Sequence, residues 1–207
     1  MLYQFFQKIS LYYTAVITTC FLLVQSPACH AKNASIIVVT EDLPPLQQLD
    51  NNRQPSGAMV EVVKAIFDQT EINYSINIFP WGRSYKMAET LPNVVIFSMA
   101  RTKSRESKFQ WIGEIFTTPV VLTQLKSRPE LAITNIEQAK SKKIGVINLD
   151  ISQNYLLSKG FIPNKNMLVS ASYSRLWKQL FEHKIDYMIS NGFMWQAELA
   201  PLGKSID

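Results

Sequence analysis

Residues 143–160, KIGVINLDISQNYLLSKG, read as one complete strand–turn–helix unit. Lys143–Ile147 is a short β-rich run. Asp150-x-x-Gln153 has the spacing of a capping box, so a helix opens there. Gly160 stands where a helix ends on a left-handed residue. Outward from this unit the same alternation repeats. Upstream, Thr134-x-x-Glu137 predicts another capped helix. Downstream, Tyr173, Leu176, Trp177, Leu180 and Phe181 make the strongest amphipathic stripe in the chain, read as core packing. Ile185–Ser190 follows as a strand, and Phe193–Leu199 begins a further helix.

An earlier block has the same grammar. Ser35–Thr40 is a strand ended by Asp42-Leu43-Pro44-Pro45, and Asn51–Gly57 is a loop. Beyond it lies a helix whose face is Met59, Val62, Val63, Ile66 and Phe67. Tyr74–Phe79 alternates as a strand, Pro80-Trp81-Gly82 breaks it, and a helix is expected through Tyr85–Leu91. Val94–Phe97 is a strand, and Pro119–Leu125 is a further β-branched run. Two successive α/β blocks joined by an extended run predict two lobes, and clefts between lobes bind small molecules.

Composition narrows the chemistry. The chain has 207 residues, 7 Gly, 2 Cys and 2 His, and no two glycines lie closer than eleven residues. Neither a GxGxxG turn nor a Walker-type phosphate loop can be written with them. His30 and His183 are too few for HExxH or a His-rich metal site. Lys8 is the only charge before Lys32, and it precedes the uncharged run Ile9–Val24 and the small-residue exit Ser26–Ala31. This is the pattern of a signal peptide spanning 1–31, with cleavage expected after Ala31. An uncleaved anchor and a lipoprotein cysteine at Cys29 are the alternatives.

Cleavage removes both cysteines and His30, so the mature chain has no disulfide and no cysteine nucleophile. A Ser-His-Asp triad would have to use His183, in a segment that reads as the polar end of a helix. The formal charge of +5 falls to +4 without Lys8, and the basic residues are scattered among acids. A nucleic-acid partner is not expected from such a surface.

Several segments resemble, in order, the family 3 solute-binding proteins, the extracytoplasmic receptors of polar-amino-acid ABC transporters. They are Glu41–Leu46, Gly57–Val63, Pro80–Arg83, Ser98–Arg105, Lys143–Ile147 and Lys184–Asn191. The resemblance spans about 35–200. It implies an α/β fold of the type II periplasmic-binding-protein architecture, two lobes, each a mixed sheet flanked by helices. The corresponding organisation is lobe 1 over 32–121, lobe 2 over 122–191 and a return toward lobe 1 over 192–207. The family pattern continues beyond Asp207, so a truncated or short member is implied.

The resemblance also implies a site. Arg105, near the start of a short helix, matches the family's fork for a ligand carboxylate, a role suited to guanidinium geometry. Arg101, one turn earlier, is the alternative or helper. Ile151 and Ser152 match backbone donors at a helix start, although Asp150 in the capping position competes for them. Asn191 stands where the family has an acid for the ammonium, and Glu41 or Asp42 would compensate. Trp81 matches a residue on the cleft wall, with Arg83 and Tyr85 of undecided orientation. Ser98 belongs to the same motif as Arg105.

The implied protein is a periplasmic, monomeric, non-enzymatic receptor, with a small polar amino-acid-like ligand and a membrane permease as partners. No cofactor, metal or catalytic residue is expected. A sensor or vestigial receptor detached from transport is the second reading, and a lyase- or glycosidase-type enzyme on the same scaffold is the third. The Glu41-Asp42 pair argues against the last, because neighbours on a strand point to opposite faces. Arg105→Ala is expected to abolish carboxylate binding with the melting temperature nearly unchanged.

Overall fold

The computed structural model describes residues 35–206. The segment 1–31, expected to be a signal peptide, lies outside them with Cys20, Cys29 and His30. Two separate sheets carry the fold. The first contains β1 (Ile36–Thr40), β4 (Tyr74–Ile78) and β5 (Val94–Ile96) in the order β4-β1-β5, all parallel. A two-stranded antiparallel ribbon, β2 (Gln48–Leu49) and β3 (Pro55–Ser56), stands beside it.

The second sheet has the order β6-β9-β7-β8. Its strands are β6 (Val121–Thr123), β7 (Ile144–Ile147), β8 (Met167–Ser170) and β9 (Tyr187–Ser190). β6 runs antiparallel to β9 and the other pairs are parallel. All four residues of β7 and of β9 are buried, as expected of central strands covered on both faces.

Helices lie against the sheets: α1 (Ala58–Phe67), α2 (Trp81–Thr90), α3 (Ile151–Ser158), α4 (Tyr173–Phe181) and the short α5 (Trp195–Leu199). α4 follows its stripe. Ser172 caps it, accepting from the Arg175 amide, and Leu176, Trp177 and Leu180 are buried. Burial of each such leucine contributes roughly 1.5–3 kcal/mol. Gly145 in β7 permits this contact, since a Cβ there would lie 2.7 Å from Leu176 Cδ2 and 2.6 Å from Ile185 Cδ1.

Several local expectations shift. α1 buries Val60 and Val63, while Val62 and Ile66 of the expected stripe are exposed, so the helix is rotated about its axis relative to that reading. α2 takes in the expected Tyr85–Leu91 stretch up to Thr90 and reaches back to Trp81, with Pro80 of the strand-breaking segment as its N-cap residue. The segment after Thr134 forms a 3-10 helix, Ile136–Ser141, capped by Asn135. Gln138 reaches back instead to the Thr134 amide at 2.9 Å. Residues 103–108 form consecutive turns, not a short helix, with Arg105 N–H bonded to the Thr102 carbonyl at 3.0 Å.

Small apolar clusters belong to each sheet. Val38, Val60, Val63 and Phe97 fill the first, and nine residues including Ile144, Val146, Leu156 and Met167 fill one side of the second. A third cluster belongs to both. Trp81 and Tyr85 of α2 pack with Ile147, Leu176, Trp177, Leu180 and Leu199. This shared cluster positions the residues described next.

Candidate functional site

Arg105 is the largest side chain among the fully buried residues, at 2% exposure. Its Nη1 donates to the Ala100 carbonyl and its Nη2 to the Leu149 carbonyl, each at 3.0 Å. The guanidinium carbon lies 5.4 Å from the Trp81 ring centre and 5.1 Å from that of Tyr85, within cation–π range. No salt bridge of Arg105 occurs among the described residues. A buried cation is thus held by carbonyls and aromatic faces rather than by a carboxylate.

Arg105 lines an open cavity of about 1090 Å³. Thr102, Ser104 and Lys108 flank it on the same segment, and Ile151, Ser152 and Tyr155 of α3 line the other side. Val120, Leu122, Ile136 and Ile189 give this cavity a largely apolar wall. The expected meeting of Arg105 with Ile151 and Ser152 is therefore present.

The α3 start is engaged by its own cap. Asp150 Oδ2 accepts from Ser152 Oγ at 2.9 Å and more weakly from the Ser152 amide at 3.5 Å. Gln153 Oε1 accepts from the Leu149 amide at 2.6 Å, one residue upstream of the usual capping-box partner.

A second charged group gathers where the first sheet ends. Glu41 and Asp42 follow β1, Asp150 precedes α3, and Glu198 projects from α5. The half-buried Glu41 has its carboxyl pushed well above the usual range by burial, with further raising by the nearby charges of Asp150, Glu198 and Asp42 against a smaller lowering by Arg105. Burial also raises Asp42. Glu198 is raised to about 7, chiefly by burial, against the lowering effect of its hydrogen bond from Trp177 Nε1 at 2.6 Å. Tyr173 is driven well above its ordinary value by burial and by the charges of Asp150, Glu41 and Glu198. No group of three or more His, Cys, Asp or Glu residues is arranged to hold a metal ion among the described residues.

Residues 36–194 match the bacterial extracellular solute-binding proteins, family 3. The chain belongs to that family. No curated protein matches it. Solved structures do, at low sequence identity and with the same fold. An ancestral arginine-binding protein bound to arginine superposes with a TM-score of 0.69 at 17% identity, over 82% of this chain and 75% of that one. A histidine kinase sensor domain with similarity to periplasmic binding proteins gives 0.68 at 17%, over 83% and 74%. A substrate-binding protein of an ABC uptake transporter from Streptococcus pneumoniae, with bound histidine, gives 0.68 at 15%, over 82% and 70%. These are type II periplasmic binding proteins in fold, and so is this solute-binding protein.

Not every residue expected at the site converges on it in this family member. Arg101 is exposed and pairs with Glu106, its Nε donating at 2.9 Å, so solvent and a local acid hold it. Arg83 is exposed, lies over the Phe79 ring at 3.9 Å and is not among the residues lining the Arg105 cavity. Asn191 is occupied as a cap: its Oδ1 accepts from the Phe193 amide at 3.0 Å and from Thr118 Oγ1 at 2.9 Å. Ser98 donates to Gln47 Oε1 at 3.1 Å, within a network at the end of the first sheet. Trp81 is a core residue of the shared cluster that also touches Arg105.

Glu198 and the carbonyl of Leu149 carry no signal in the sequence reading, and Tyr173 enters it only as part of the core-packing stripe, not beside the acids. Glu198 sits three residues after Trp195 in a short apolar helix, and only its bond to distant Trp177 reveals its burial. Arg105→Ala is now expected to cost stability as well as binding, because it removes a buried side chain bonded to two backbone carbonyls.

Proposed function

We propose that this protein is an exported receptor that captures a small amino-acid-like carboxylate between its two lobes and delivers it to the permease of an ABC transporter. The observation that carries the reading is Arg105, a buried guanidinium that lines a cavity and has no ion-pair partner among the described residues. Two of its five N–H groups are used by carbonyls, which leaves donors for an anion, and burial of an unpaired charge favours acquiring one. The acids on its other flank, Glu41 with Asp150 and Glu198, supply a complement for an ammonium group. Ile151, Ser152, Asp42 and Trp81 complete the surroundings in this reading.

Residues 32–121 and 122–191 would act as the lobes, and 192–207 as a segment leading back toward the first. The leader would be removed after Ala31, placing a monomeric receptor in the periplasm without enzymatic activity. A sensor reading has one specific support, the likeness to the sensor domain of a histidine kinase.

The test is a thermal-shift screen of the mature protein against amino acids, diamines and dicarboxylates. A ligand at a hundred times its dissociation constant stabilises the folded state by about 2.7 kcal/mol. Compounds carrying a carboxylate beside an amine are expected to raise the transition, and Arg105→Lys to weaken them at least tenfold by calorimetry. A screen in which no compound shifts the transition counts against the receptor reading.

A further inference from the structure

Arg105 spends donors on its own chain in a way that joins the two sheets. Ala100, which accepts from Nη1, follows β5 of the first sheet, whereas Leu149, which accepts from Nη2, lies in the turn between β7 and α3 of the second. That turn is built to present the carbonyl. Leu149 holds φ at 61°, a left-handed conformation that is uncommon for a leucine. Gln153 fixes its amide and Asp150 caps the next residues. On the other side, the Trp81 and Tyr85 rings stand 5.4 and 5.1 Å from the guanidinium carbon. Around the bond, Gly82 of α2 approaches Asn148 so closely that a Cβ would lie 2.9 Å from Asn148 Nδ2. Trp81 and Tyr85 also share their apolar cluster with Leu176 and Trp177.

We propose that Arg105 is a latch: by donating to the Leu149 carbonyl it holds the two lobes closed with no ligand taking part in the bond. This rests on the reading of the cleft as a ligand site and assigns that site its regulation. The bond joins two protein groups, so it contributes to closure before any solute arrives. A carboxylate then adds to the remaining N–H groups of a guanidinium already seated. The closed fraction enters affinity directly, since the apparent dissociation constant is the intrinsic one divided by the fraction competent to bind. Arg105 is thus a positioning residue for closure as well as the group offered to the ligand.

The experiment measures the distance between the lobes with no ligand added. Cys20 and Cys29 are replaced by serine, and spin labels are attached through Glu71→Cys and Lys165→Cys, both at exposed positions on opposite lobes. The parent protein is expected to give one short-distance population. Arg105→Ala is expected to raise the ratio of open to closed forms roughly tenfold or more, the scale of a lost charge-assisted bond. Arg105→Lys, which can still reach a carbonyl, is expected to restore part of the closed population. Gln153→Ala, which frees the Leu149 turn without touching the cation, is expected to shift the ratio the same way by less.

Distances in folded Arg105→Ala that superpose on the parent's would overturn the latch. If that variant does not fold, Gln153→Ala decides, and its unchanged distances would equally overturn it. The ligand screen is read separately. Failure of every compound removes the receptor reading and leaves the distance result standing, whereas unchanged distances beside good binding remove the latch alone.

Discussion

The two flanks of Arg105 meet the same difficulty, charge removed from water, and resolve it in opposite ways. On the cation side the group cannot give up its proton, because a guanidinium stays charged in proteins. It is therefore surrounded by carbonyls and aromatic faces. On the acid side Glu41 and Glu198 are pushed upward chiefly by burial and further by neighbouring acids, Asp150, Glu198 and Asp42 for Glu41 and Asp42 for Glu198, so protonation relieves what hydrogen bonds do not. One flank is insensitive to pH by construction and the other responds near neutrality.

The sharpest way to break this contrast is to remove the cation. Arg105→Ala is expected to cost about 3–5 kcal/mol in chemical denaturation, from two bonds to a charged donor. That cost is expected to change little between pH 5.5 and pH 8.5, because the influence of Arg105 on Glu41 is small beside that of burial. A cost that changes strongly with pH would show that Arg105 and the acids act as one unit.

The second expectation concerns Glu198. Its folded-state pKa is about 7, against an ordinary 4.5 in the unfolded chain. Below pH 4.5 both states hold the proton and the residue contributes no pH dependence. Between about 4.5 and 7 the unfolded chain ionises first, so stability falls as pH rises, and above 7 the loss is complete. Its upper bound is about 3 kcal/mol. Glu41, raised in the same direction, adds to the slope. Glu198→Gln is expected to match the parent near pH 4 and to be more stable above pH 7, by melting temperature across that range. Equal melting temperatures at pH 8 would remove Glu198 from the acid side.

The smallest effect is expected at Arg101. It is exposed and its partner Glu106 is equally open to water. Arg101→Ala is expected to change stability by less than about 0.5 kcal/mol. It should also leave ligand affinity unchanged, as read by denaturation and calorimetry. A large loss of affinity would return Arg101 to the site.

The fold was legible where its causes are local. The unit from Lys143 to Gly160 carries its strand, cap and stop within eighteen residues. The stripe from Tyr173 to Phe181 needs only helical spacing to declare its buried face. The first helix was less legible, since apolar Val62 and Ile66 fit the same spacing as the buried Val60 and Val63, and only the sheet beneath decides between them.

At the site, Arg105 could be named because the family resemblance puts the carboxylate fork at that position, but its partners could not. The carbonyls of Ala100 and Leu149 carry no side-chain signature, since every residue has one. Glu198 was invisible for a related reason: its burial comes from Trp177, twenty-one positions away. Arg83 and Arg101 were readable as charges, but their directions depend on where α2 begins and on the turns that replace the expected short helix.

The contact between Arg105 and Trp81 also has an optical consequence. An indole senses charge near its ring through the wavelength at which it emits, and this one has a permanent cation 5.4 Å from its centre. Among the four tryptophans of the chain, Trp111 has a comparable neighbour in exposed Arg101, at 5.3 Å. Movement of the buried guanidinium therefore writes itself into Trp81 fluorescence, and a Trp111→Phe background removes the other indole that has an arginine beside its ring.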